Sequence, residues 1–167
     1  MFGGVSGRGA PGLDGAVQLV SQSIMTVAQL LSNYPAGASY LGRYARVSDL
    51  YGTSDEIMRC CVSAGQYYWR PQRTDFAGPS VTTTGGSMTL TPLVSPPQMR
   101  VVGTLLGALT ITPSTTNVWP GCQFEITMNG TLGLFLATVT GLLGGNQLIA
   151  AGSTRRIIYG MDGFYTQ

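Results

Sequence analysis

The chain has 167 residues, with nine arginines, seven Asp or Glu, a formal net charge of +2, and neither histidine nor lysine. General acid–base catalysis near neutral pH leans on His, or on Lys, Glu and Cys tuned by their surroundings, so this composition points away from an enzyme and toward a building element. Charged residues make up only 10% against 44% hydrophobic, which argues against a nucleic-acid binder and leaves a lone monomer short of the charged surface that keeps proteins apart.

Residues 1–13 are Gly-rich and read as a flexible or docked arm that, extended, reaches up to about 40 Å. Three Gly-X-Y triplets begin at Gly9, too few for a free triple helix. The start lacks the basic-then-apolar pattern of a secretory signal, so synthesis and assembly in the cytoplasm are expected. Residues 14–33 read as a helix with Asp14 as its N-cap. Val17, Val20, Ile24, Val27 and Leu31 recur at spacings of 3, 4, 3 and 4, an a/d seam over two heptads. β-Branched residues at a and d lean toward three or four strands, although the same stripe serves a helix lying on its own domain. Asn33-Tyr34-Pro35 ends the helix.

Residues 34–77 read as a small β module, with strands near Tyr44–Leu50, Glu56–Ser63 and Gln66–Arg70 and turns at 52–55 and Ala64-Gly65. Alternation predicts that Tyr67 and Trp69 fill the core while Tyr68 and Arg70 face out. The cluster Tyr67, Tyr68 and Trp69 also offers a stacking surface for a sugar or a partner. Residues 78–86 are polar and turn-rich and read as a linker.

Residues 87–167 read as a β-sandwich domain. Strands are expected near Met88–Leu90, Met99–Leu106, Leu109–Thr112, Cys122–Met128 and Arg155–Tyr159. Cys122, Phe124, Ile126 and Met128 alternate with Gln123, Glu125 and Thr127, the pattern of a half-buried strand. Asn129-Gly130 signals a type I′ hairpin turn into 132–140, and Asp162-Gly163 turns the last strand back into Phe164-Tyr165. The run from Leu132 to Ala151 is long enough to span a membrane, but polar residues and Gly141, Gly144 and Gly145 interrupt it, so two strands joined by a Gly-rich turn are expected. Gly103-Thr104-Leu105 is echoed by Gly130-Thr131-Leu132, too short a match to define a repeat. The fold class is mainly β: an antiparallel sandwich or barrel-like C-terminal domain, a small β-hairpin module, and one N-terminal helix preceded by a Gly-rich arm.

Catalytic templates run out quickly. Without histidine there is no Ser-His-Asp or Cys-His arrangement. A lysozyme-like pair could combine distant carboxylates such as Asp49 and Glu125, and nothing local marks them. Gly85-Gly86 and Gly144-Gly145 lack the context of phosphate loops. The cysteines are three, Cys60, Cys61 and Cys122; strand neighbours point to opposite faces and no metal-ligand spacing is present, so free thiols are expected. No catalytic residue, cofactor or metal is expected.

Two stretches resemble modules of tailed-bacteriophage virion proteins. The first combines Ser32-Asn33-Tyr34-Pro35, Gly42-Arg43-Tyr44-Ala45-Arg46-Val47-Ser48-Asp49, Cys60-Cys61-Val62-Ser63-Ala64-Gly65 and Trp69-Arg70-Pro71, and is similar to the hairpin module of phage fibre and head-decoration proteins. The second holds Pro120-Gly121-Cys122-Gln123-Phe124 and the closing Tyr159-Gly160-Met161-Asp162-Gly163-Phe164-Tyr165, and looks like the β-rich part of the same proteins. Gln66-Tyr67-Tyr68 departs from the Asp-Gly-Asn turn usual there, and no long fibrous repeat is present. The resemblance implies a homotrimeric structural protein of a virion. The expected function is capsid decoration (cement) on a phage head, with sibling subunits and the phage major capsid protein as partners and neither nucleic acid nor membrane. A tail component (fibre base or adaptor) and a glycan-binding β-module are the alternatives. Under this reading Arg43, Arg46, Arg59, Arg70, Arg73 and Arg100 are expected to clamp neighbouring subunits bidentately, beside the helix seam.

Overall fold

A computed structural model describes residues 18–52, 55–73 and 77–167. The N-terminal arm, Asp14 and Val17 lie outside the described residues.

The helix is shorter than its hydrophobic spacing predicts. α1 covers Val27–Asn33. Thr26 sets its start: the Thr26 hydroxyl accepts from the Gln29 amide at 3.1 Å while Gln29 Oε1 accepts from the Thr26 amide at 2.8 Å, a reciprocal capping box. Asp49 adds a third contact, its Oδ1 accepting from the Val27 amide at 2.6 Å. The segment before Thr26 is irregular and bent instead, with Leu19 bridging Tyr44 and Met25 bridging Val47. The expected seam therefore does not exist as one helical face. Val27 is buried, Val20 and Leu31 are partly buried against the core, and Ile24 is 42% exposed. Spacings of three and four fit a helix, but here backbone pairing to the neighbouring strand wins over a short helix that is marginal by itself.

Beneath α1 lies a three-stranded antiparallel sheet of β1 (Tyr44–Val47), β2 (Glu56–Ser63) and β3 (Gln66–Pro71), in that order. Ala64 and Gly65, with φ of 47° and 78°, make the tight turn from β2 to β3, the left-handed pair that a two-residue hairpin needs. Alternation sends Ala45, Val47, Met58, Cys60, Trp69 and Pro71 inward. Trp69 locks the module, its Nε1 donating to the Tyr34 carbonyl at 2.8 Å just beyond the helix.

The remaining chain builds two facing sheets by crossing between them at each step. β4 (Val81–Thr82), β6 (Gln98–Val102) and β8 (Gln123–Met128) run parallel in one sheet. β5 (Gly86–Leu90), β7 (Leu109–Pro113) and β9 (Ala137–Val139) run parallel in the other. Each pair of strands, one per sheet, is a rung of a short stack. The stack then reverses: β10 (Gln147–Ile149) folds back antiparallel on β9, β11 (Thr154–Tyr159) antiparallel on β8, and β12 (Phe164–Thr166) on β11.

The mainly β, sandwich-like architecture agrees with the sequence reading, but the pairing is mixed rather than antiparallel throughout. Residues 78–86 are not a free linker, because the Gly78 amide donates to the Gln98 carbonyl at 2.9 Å and β4 lies within the segment. Asn129-Gly130 is not a hairpin turn either. It is a corner at which the chain passes from one sheet to the other, and it stacks on the corner below. Thr131 bridges Thr104, the Thr131 amide donates to the Gly103 carbonyl, and the Leu105 amide to the Thr131 carbonyl, each at 2.9 Å. The glycine at 130 is required by crowding, since a Cβ there would stand 2.4 Å from the Gly103 oxygen. The Gly-Thr-Leu echo thus marks equivalent places on successive rungs.

Side chains inside the stack form columns that follow the register. Val81, Val101 and Met128 share one column, and Met88, Ile111 and Val139 another. Cys122, Phe124, Ile126 and Met128 all point inward as their alternation predicts. Among the described residues no Ser, Thr, Asn, Gln or charged side chain is buried, so the core coheres chiefly by apolar contact. The module and the stack meet where the Tyr51 amide reaches the Leu93 carbonyl at 3.4 Å, with Tyr51 and Leu93 both at positive φ.

Candidate functional site

The face of the three-stranded sheet turned away from α1 gathers three of the six arginines that the sequence singles out, Arg46, Arg59 and Arg70. Because Ala45, Met58, Cys60 and Trp69 point inward, period two forces Tyr44, Arg46, Ile57, Arg59, Cys61, Tyr68 and Arg70 outward. The register sets them in rows. Tyr44 lies opposite Arg59 and Arg59 opposite Arg70, Arg46 lies opposite Ile57, and Cys61 opposite Tyr68.

Local partners satisfy this charge unevenly. Arg46 reaches Asp55 at 3.2 Å and Arg73 reaches Glu56 at 3.8 Å, both near the surface. The Arg59 guanidinium lies 5.6 Å from the centre of the Tyr44 ring, an exposed cation–π contact worth about 0.5–1 kcal/mol. Arg70 stands directly across from Arg59, and like charges in that position repel. Ile57, on the central strand beside Arg46, is 45% exposed. Arginine and tyrosine around an exposed aliphatic residue is the composition of interface centres. Arg43 is exposed just ahead of β1, whereas Arg100 lies on β6, apart from the group.

The aromatic cluster divides. Trp69 is buried and its indole N–H is committed to Tyr34, so it serves the core. Tyr67 does not join it. At the hairpin end it stays 39% exposed, and with the half-buried Tyr68 it lines a groove of about 540 Å³ that also receives Leu31, Asn117 and Tyr159. Burial pushes the Tyr68 hydroxyl pKa up. A second cavity of about 220 Å³, at the junction of module and stack, is lined by Tyr51, Arg70, Trp119 and Phe124 among others.

The carboxylates are held apart by separate structural tasks: Asp49 caps α1, and Glu125 pairs with Arg156 at 2.8 Å across β8 and β11. Among the described residues no group of three Cys, Asp or Glu is placed to hold a metal ion, and no helix is long and apolar enough to cross a membrane. Cys60, Cys61 and Cys122 are free thiols. Burial pushes Cys122 up to about 12, and raises Cys60 in the same direction.

No protein-family model matches the sequence, and no curated protein matches it. One solved structure, a chaperone–substrate complex, is similar over 76% of this chain at 15% identity with a TM-score of 0.37. The matched part is 25% of that longer chain, and a likeness this slight carries no argument.

Proposed function

We propose that the chain is a structural protein of a phage virion, a capsid decoration (cement) protein that works as a homotrimer and docks through the arginine–tyrosine face of its three-stranded sheet. The observation that carries this reading is the row Tyr44–Arg59–Arg70, in which two exposed arginines occupy directly opposed positions on neighbouring strands. That placement costs the isolated fold and favours a partner that brings carboxylates, from a sibling subunit or from the capsid lattice. The chiefly apolar core and the lack of a histidine fit a part that is assembled rather than one that turns over substrate.

Native mass spectrometry of the full chain at micromolar concentration tests it. A mass that is a multiple of three subunits and dissociates in the double variant Arg59→Glu, Arg70→Glu supports the reading, and a dispersed monomer overturns it. Imaging of labelled virions separates a head position from a tail position.

The groove between Tyr67, Tyr68 and Tyr159 favours a second reading, a glycan-binding β-module, since tyrosine faces stack on sugar rings and Asn117 and Gln66 bring amides to the same groove. Micromolar glycan binding that is lost in Tyr67→Ala without unfolding would move the function there.

A further inference from the structure

The strand stack is unfinished at the end formed by β4 and β5. β5 bonds to β7 through Gly86 and Leu90, the Gly86 amide donating to the Ala108 carbonyl and the Leu90 carbonyl accepting from the Ser114 amide, each at 2.8 Å. Strand alternation then turns the N–H and C=O groups of Ser87 and Thr89 to the other side. Among the described residues no strand lies there, and β4 is likewise the last strand of its sheet. The core columns run out at the same level. Val81 and Met88 are half-buried, while Val101, Ile111, Met128 and Val139 in the same columns are buried. Residues 77–99 include no Asp, Glu, Lys or Arg, the side chains with which exposed edges are usually protected.

The geometry points to end-to-end pairing with a second copy of this chain, β5 lying antiparallel to its counterpart across a two-fold axis at Met88. In that register Ser87 faces Thr89 of the other copy and Thr89 faces Ser87, each pair exchanging both N–H···O bonds. A second copy fits better than a foreign strand for two reasons. The outward groups are symmetric about Met88, and the exposed ends of the Val81 and Met88 columns meet their own continuation without any charge to repel it. This contact rests on neither the virion reading nor the arginine face, which lies on a different sheet.

Cross-linking the full chain tests it. Residues facing each other at a non-hydrogen-bonded antiparallel position have Cα atoms about 4.5 Å apart, within disulfide reach. In a Cys61→Ser background, Met88→Cys is expected to give covalent two-chain species under mild oxidation, and Thr116→Cys on an exposed loop to give none. Thr89→Pro removes only an outward-facing N–H, so the β5–β7 ladder survives and the mass of the largest native species should fall by half. Cross-linking no greater than in Thr116→Cys, or an unchanged mass in Thr89→Pro, overturns the proposal. So does slow amide exchange at Ser87 and Thr89 in a dilute single-chain species, because the chain's own residues would then cover the edge.

Discussion

Gly130 rests on the backbone of Gly103, one rung below it, so closely that a Cβ at 130 would stand 2.4 Å from the Gly103 oxygen. Gly107 contrasts with it: a Cβ there would meet nothing within 4 Å. Gly130→Ala is expected to destabilise the fold by about 2 kcal/mol or more, because backbone must move to make room. Gly107→Ala should be neutral or stabilising by up to about 1 kcal/mol, by restricting the unfolded chain. Urea midpoints of the two variants check the pair, and equal midpoints would contradict the stacked corners.

Trp69→Phe keeps an aromatic ring in the core, removes the bond from Nε1 to the Tyr34 carbonyl and leaves the space of the larger indole unfilled. The expected loss is about 1–2 kcal/mol, together with faster amide exchange in α1 than elsewhere. An exchange change spread evenly over both sheets would argue that Trp69 does not anchor the helix to the module.

Arg70→Glu should change folding and association in opposite directions. It replaces a repulsive pair with an attractive one across from Arg59, worth about 0.2–1 kcal/mol in stability, and leaves the Arg59–Tyr44 contact in place. If the face docks an acidic partner, self-association or capsid binding falls in the same variant. Thermal denaturation and sedimentation at matched concentration read the two effects, and an unchanged association would remove Arg70 from the interface.

Alkaline pH should weaken the fold. Burial pushes Cys122 up to about 12, well above its ordinary value of 9.0. Above pH 9 the unfolded chain releases this proton while the folded chain keeps it. The contribution of Cys122 is therefore complete below about 9 and declines toward 12, by about 1.4 kcal/mol per pH unit. Burial raises Cys60 and Tyr51 in the same direction and steepens the fall. Urea midpoints from pH 7 to 11 test this, and Cys122→Ala should flatten the slope.

Much of the architecture was legible where a single strand carries its own evidence. The β2 span, the Ala64-Gly65 turn, the inward set from Cys122 to Met128 and the Asp162-Gly163 return all follow from alternation and turn chemistry. Alternation says which side chains point inward but not which strand lies alongside, so the parallel ladders stayed hidden. Asn129-Gly130 carries the composition of a hairpin while its glycine answers a steric demand from another rung, and only the spacing of the Gly-Thr-Leu echo held that information. Val20 and Ile24 match a helical period although an irregular, bent segment places them. For the candidate site, the arginines could be picked out as a set, but their alignment with Tyr44 and Ile57 depends on strand register.

The crossing pattern between the two sheets also says how such a molecule changes size. Gln98 through Val101 lie beside Glu125 through Met128, so one circuit from sheet to sheet and back is a self-contained unit whose top and bottom are the same kind of surface. Adding or removing a whole circuit would lengthen or shorten the body by about 4.8 Å, the spacing of neighbouring strands, and leave the arginine-bearing sheet and the reversing hairpins as they are. Height can thus vary without altering the arginine-bearing face, whereas a gain or loss of a single residue within a strand would turn the apolar side chains beyond it toward water.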